Sequence, residues 1–278
     1  MNKITRLIKY LLPFLIIKVQ ALIFYSSTDL SYNTVPPIQY LELWNLQGDF
    51  GNFTGTPISP YHFITIQHAA PQPSFILNGI EYPILSYYED WASNLRICKI
   101  KGKFPQFVHL YEKNDEVGKQ TVMFGKGVGV GGEVKLNDEL KGWRWGNLGG
   151  LMKWGESSID SVTISSGGDL LRMLFDPKKG LKELCSLTVG DSGGGTFVKD
   201  GNEWKLVGVN YAADSAYGFN NVEDDNTDRF YATIFDEKDL YKFDGISWYR
   251  IEDHASTGSY SIRLSSRLAW SQRIVEWT

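Results

Sequence analysis

A serine set among glycines, Val189-Gly190-Asp191-Ser192-Gly193-Gly194-Gly195, stands directly before the apolar run Thr196-Phe197-Val198. Glycines let the backbone turn sharply, so that successive N–H groups converge beside the hydroxyl. That combination is a nucleophile with an oxyanion hole attached. Such a hydroxyl needs a base within hydrogen-bond reach. The chain offers four histidines, His62, His68, His109 and His254. His68 stands out, since it ends the strand-like run Phe63-Ile64-Thr65-Ile66-Gln67 and precedes Ala69-Ala70, small residues that leave room at a cleft. A histidine at a strand end, with a Gly-Asp-Ser-Gly-Gly loop downstream, reads as a general base.

Gly190-x-Ser192-x-Gly194 also fits the nucleophile elbow of α/β-hydrolases, with Asp214 or Asp228 and then His254 in the right chain order. The elbow requires a helix directly after the serine. Here Thr196 to Val198, the Asp200-Gly201 turn and Trp204 to Val209 read as a β-hairpin, which excludes it.

The chain resembles the chymotrypsin-like (trypsin-family) serine peptidases. Phe63 to Ala69 is similar to the family's histidine segment, Leu-Thr-Ala-Ala-His-Cys. Gly190 to Gly194 matches its nucleophile loop, Leu206-Val207-Gly208-Val209 resembles the strand that follows, and Tyr260 to Ser265 through Trp270 resembles its terminal Tyr-Thr-Arg-Val-Ser…Trp segment. The resemblance implies an all-β fold of two antiparallel six-stranded barrels with a C-terminal helix, and a site in the cleft between them. It implies a hydrolase that cuts peptide bonds through an acyl-enzyme, without a cofactor or a metal. It places the oxyanion at the backbone N–H groups of Gly190 and Ser192, and Ser186 at the base of the primary specificity pocket, where a neutral hydroxyl suits apolar or aromatic side chains. Asp191 matches the residue that pairs with a newly exposed N-terminal amine, although no Ile-Val-Gly-Gly start is visible.

One departure bears on activity. Where the family has the aspartate that supports its histidine, this chain reads Asn94-Leu95-Arg96-Ile97-Cys98-Lys99-Ile100. In the serine-histidine-aspartate template that exchange costs about 10⁴ in turnover, or about 5.4 kcal/mol. Three readings follow: Asp90 or Glu89 reaches His68 instead, Asn94 is the third member of a slower site, or the chain is a catalytically inactive homologue that binds proteins.

The elements around these residues fit a β-rich protein. With 278 residues, 42% hydrophobic and 22% charged, the chain can fill a large core, and its 28 glycines punctuate short strand-like runs. Asn78-Gly79 and Asp200-Gly201 suit tight hairpin turns. A net charge of −4 gives no field for nucleic acid, so the expected partner is a protein or peptide substrate. Lys3, Arg6 and Lys9 precede the apolar stretch Tyr10 to Ile17, and Val19-Gln20-Ala21 suits a cleavage site, so residues 1–21 read as an export signal. Lys18 breaks that run before it can span a bilayer, so no stable membrane span is expected after cleavage, and the protein is expected to be secreted or periplasmic. Residues 22–39 then form an irregular lead-in, and residues 40–278 the peptidase domain, with its barrels at about 40–125 and 126–278.

Three further segments carry expectations. The glycine- and tryptophan-rich stretch Gly125 to Gly155 reads as a crossing segment with surface loops, its tryptophans packed on the barrel beneath. Glu223 to Asp228 reads as a solvated acidic loop. Trp270, Ile274 and Trp277 fall on one face of a terminal helix capped at Ser265 or Ser266. Cys98 and Cys185 read either as a pair or as two small buried hydrophobes.

Overall fold

Nearly continuous burial along the strand His62–Ile66 and its neighbour Leu95–Ile100 places both at the heart of a closed barrel in the N-terminal half. The computed structural model describes residues 21–277 apart from 148, 166–167, 215 and 221–228, so the acidic Glu223 to Asp228 segment lies outside the described residues. The barrel runs Gly48–Phe50, Phe53–Pro57, His62–Ile66, Leu95–Ile100, Ile80–Glu89 and Ser74–Leu77 around its circumference. Phe50, Phe63, Phe75 and Phe104 fill it, with Phe63 and Phe75 stacked at 4.0 Å. At its hairpin tip Asn78 (φ 51°) and Gly79 (φ 78°) take the left-handed conformations that a tight turn demands.

The second lobe is a seven-stranded antiparallel sheet. Gln120–Gly125, Gly195–Asp200, Glu203–Ala213 and Gly258–Arg263 are its central strands, and it curls until Lys153–Ser158 touches Gly168–Leu174. The all-β class read from the sequence stands, with antiparallel sheets, a closed six-stranded first barrel and a terminal helix, but in place of the expected second six-stranded barrel the described residues form this seven-stranded sheet.

The second lobe also carries a separate six-stranded sheet, which includes Val130–Leu136, Glu139–Trp145 and Phe230–Ile234. This corrects the reading of Gly125 to Gly155 as loops. Gly142 gives the reason. A Cβ there would strike the Thr233 carbonyl and Ile234 Cα, so glycine marks a close strand approach rather than a turn. Trp143 packs on Phe175 and Phe235, as expected of a buried indole.

Residues 22–39 are not irregular at their start. Ile23–Phe24 pairs antiparallel with Cys185–Ser186, and Leu22, Ile23 and Phe24 are all buried. The terminal helix follows a 3₁₀ turn at Ser265–Arg267 and spans Leu268–Trp277. Trp270 and Ile274 pack on the first core, whereas Trp277 is 81% exposed because the helix runs past the surface that supports it. Cys98 and Cys185 are buried free thiols in different clusters and form no disulfide.

Candidate active site

The pairing of His62–Ile66 with Leu95–Ile100 sets Ile66 opposite Leu95, so the residues that follow one strand meet the residue that precedes the other. Gln67 N–H donates to the Asn94 carbonyl at 2.7 Å. The Asn94 side chain then serves the histidine. Its Oδ1 lies 2.6 Å from His68 Nδ1 and accepts the His68 backbone N–H at 3.2 Å. That backbone donor settles the amide orientation, because the reversed amide would aim NH₂ at an N–H. Facing an oxygen, Nδ1 must carry the proton, which leaves Nε2 with the free lone pair of a general base.

Neither acidic alternative reaches the imidazole. Asp90 accepts from Ala92 N–H and Ser93 Oγ and pairs with Arg267. Glu89 holds Arg96 at 2.7 Å and accepts from Gln67 Nε2 at 2.8 Å. Asn94 is the side chain that the fold brings to Nδ1. An aspartate in its place should therefore restore a charge without having to correct the tautomer. We expect Asn94→Asp to raise kcat/KM by about 10²-fold, short of the ~10⁴ of the template, where the tautomer is also lost. The same substitution stabilises the imidazolium, so the acid limb of the pH–rate profile should move to higher pH.

Arg96 braces this arrangement, and nothing in the sequence pattern pointed to it. Its buried guanidinium donates to the Ala69 carbonyl at 2.6 Å and the Gln67 carbonyl at 2.9 Å, on either side of His68. His68 is exposed at its outer edge, with its inner face against the rings of Phe53 and Tyr211. That desolvation lowers its pKa, the Asn94 bond partly offsets this, and the Arg96 charge lowers it further. Arg96→Met should leave both carbonyls unpaired and destabilise the fold by about 3 kcal/mol. With the cation gone, the acid limb should also shift upward, which loss of packing alone would not produce.

The nucleophile loop is tied to both lobes. Ser192 C=O accepts from Thr54 N–H at 3.3 Å, and Gly193 N–H donates to the Asn210 carbonyl at 2.9 Å. Gly193 has φ 83°, and a Cβ there would sit on the Thr54 carbonyl, so the loop reaches the first barrel only as glycine. Val189 C=O accepts from Val128 N–H at 2.9 Å. This turns the Val189–Gly190 peptide so that the Gly190 N–H points the opposite way. Among the described residues neither Gly190 N–H nor Ser192 N–H has an acceptor. The Ser192 hydroxyl rests on the Tyr211 carbonyl at 3.2 Å and does not bond His68 in this state. Catalytic hydrogen bonds of this kind commonly form only once substrate is present.

Asp191 is 1% exposed and organises the loop from beneath. Its carboxylate accepts from Gly127 N–H at 2.7 Å, Thr188 N–H at 2.7 Å and Thr188 Oγ1 at 2.9 Å, and also from the backbone N–H of Leu22. Burial raises its pKa to about 6 against those donors.

The fold is antiparallel β with one closed six-stranded barrel, further sheets and a C-terminal helix. No protein-family model matches the chain, and no curated protein matches it. Among solved structures it is similar to the crystal structure of Rv3671c from M. tuberculosis H37Rv, a serine-to-alanine mutant in an inactive form. That likeness has 13% identity, covers 91% of this chain and 96% of that chain, and has a TM-score of 0.48.

Ser186 departs from expectation. It is 0% exposed, its Oγ lies 3.0 Å from Ser259 Oγ, and Ile23 pairs across it. The N-terminal strand covers it, so Ser186 has no exposed surface in this structure. The other histidines lie apart from the serine. His62 is buried against Ser59, His109 lies on the segment between the lobes, and His254 pairs with Asp236. The segment after Ser192 is the strand Gly195–Asp200, as the exclusion of the hydrolase elbow required.

Proposed function

We propose that the protein is an exported serine endopeptidase in which Ser192 is the nucleophile, His68 the base and Asn94 the residue that orients it. The observation that carries this reading is Asn94 Oδ1 on His68 Nδ1, with Tyr211 meeting both the His68 ring and the Ser192 hydroxyl, and with the Gly190 and Ser192 N–H donors unclaimed among the described residues. In the cycle, Ser192 Oγ rotates from the Tyr211 carbonyl to His68 Nε2 and attacks the scissile carbonyl carbon as its proton passes to Nε2. The carbonyl oxygen, now carrying the negative charge, is received by Gly190 and Ser192 N–H. His68 returns the proton to the leaving amine as the C–N bond breaks. Water then attacks the acyl-enzyme by the same route in reverse, which frees the acid product and restores the Ser192 hydroxyl.

Export supplies the N-terminus in this reading. Cleavage after Ala21 would make Leu22, already bonded to Asp191, the first residue of the mature chain. Among the described residues no helix is long and apolar enough to cross a membrane.

The test is labelling with a fluorophosphonate, followed by intact mass. An activated Ser192 Oγ displaces fluoride from phosphorus and gives a single adduct, absent in Ser192→Ala and His68→Ala. A folded, processed protein that forms no adduct would assign this fold to protein binding instead.

A further inference from the structure

We propose that the recess bounded by Arg144, Trp145, Val189, Arg229, Phe230 and Tyr231 binds an acidic side chain of a bound peptide, which is the substrate in the peptidase reading on which this proposal rests. The recess has a volume of about 310 Å³ and lies on the added sheet, against the residue that opens the oxyanion loop. Its two guanidiniums are held in place by aromatic rings rather than by acids. The Arg144 guanidinium lies 4.2 Å from the Phe230 ring centre, and that of Arg229 lies 5.2 Å from Tyr231 and 5.5 Å from Phe243. Trp145 and Tyr231 stack at 5.9 Å and 22°, which stiffens the wall.

Three other arginines of this chain carry carboxylates: Arg96 has Glu89, Arg263 has Glu116 and Arg267 has Asp90. Among the described residues Arg144 and Arg229 pair with none. Arg229 Nη2 donates to the Tyr231 hydroxyl at 3.0 Å, while its Nε is buried with no acceptor. A guanidinium that no carboxylate holds keeps terminal N–H donors for an anion, and Arg144 and Arg229 both line this recess. The aromatic wall suits the methylene stem of glutamate. Val189 is 56% exposed at the rim and leads directly into Gly190, so an occupant of the recess and a carbonyl at the oxyanion donors lie within reach of one peptide.

The experiment uses the full chain with Ser192→Ala and fluorescein-labelled alanine-based peptides. Each peptide carries one glutamate at a successive position, with its glutamine counterpart as control, and binding is read by anisotropy. At one or two positions the glutamate peptide should bind about 10–100-fold more tightly, in line with charge-assisted hydrogen bonds of ~1.5–3 kcal/mol. Arg144→Gln and Arg229→Gln should each remove most of that advantage, high salt should shrink it, and the doubly Lys-substituted chain should retain part of it. Equal binding of glutamate and glutamine peptides at every position overturns the proposal, as does a preference that survives both glutamine substitutions. Fluorophosphonate labelling of the chain with Ser192 intact separates the two readings. No labelling with the glutamate preference present sinks the peptidase and keeps the recess, whereas labelling without the preference does the reverse.

Discussion

Ser192→Ala is expected to lower kcat/KM on a cleavable peptide by about 10⁴-fold, His68→Ala by nearly as much, and the double substitution by no more than the larger of the two. Removing the serine or the histidine of a complete triad costs about 10⁶ in turnover, and the losses do not add because the pair acts as a unit. Here the supporting group is a neutral amide, so about 10² of that is already missing and less remains to be lost. The residue left in each variant should reflect the oxyanion donors Gly190 and Ser192, which depend on the backbone. Steady-state rates of the three variants check this. Additive losses would mean that the hydroxyl and the imidazole serve separate steps. The resting bond from Ser192 to the Tyr211 carbonyl does not oppose the scheme. A neutral hydrogen bond contributes only about 1 kcal/mol net, so turning the hydroxyl toward Nε2 is a small cost.

What could be read in advance followed how local each signal was. The nucleophile loop is a run of consecutive residues whose glycines are needed in place, and its geometry matches the pattern, Gly190 and Gly193 both having positive φ. The His68–Asn94 contact joins residues distant in sequence. Both flank strands with clear apolar patterning, and register does the rest. The resting partner of Ser192, Tyr211, could not be read, because a carbonyl leaves no trace in residue type. Arg96 also escaped notice, since a charged residue within an apolar strand shows its role only through the carbonyls it meets. The separate six-stranded sheet is not legible in the sequence, because glycine in a tight strand crossing looks like glycine in a turn. Trp277 shares a helical face with Trp270 and Ile274, but periodicity cannot say where the supporting surface stops.

Under the proposed cleavage after Ala21, the new N-terminal end should control both the stability and the activity of the fold. In the uncut chain Leu22 has φ 49°, a left-handed conformation that costs a β-carbon-bearing residue roughly 1–3 kcal/mol. Cleavage after Ala21 removes the preceding carbonyl that makes this conformation costly. It also turns a neutral amide donor into an ammonium group beside a buried carboxylate. Before the cut, Asp191 has its pKa raised from 3.8 to about 6, chiefly by burial. The folded state then holds the proton more tightly than the unfolded chain. Stability is therefore lost as pH rises from about 4 to about 6, and the loss above that range is about 3 kcal/mol. A cation at Leu22 favours the ionised carboxylate and removes this loss. A chain beginning at Leu22 should thus gain about 3 kcal/mol at pH 7.5 over one that retains Ala21, in addition to the strain relieved at Leu22, and the gap should shrink to that strain alone at acid pH, once Asp191 is protonated in both. Asp191→Asn should erase the pH dependence of the difference and leave only the strain term. Because Asp191 also fixes Gly127 and Thr188 around the oxyanion donors, the Leu22 form should react with a fluorophosphonate at least tenfold faster. Thermal melts of both forms across pH 3–8 decide the matter: a gap that does not depend on pH would mean that strain at Leu22, and not its charge, separates them.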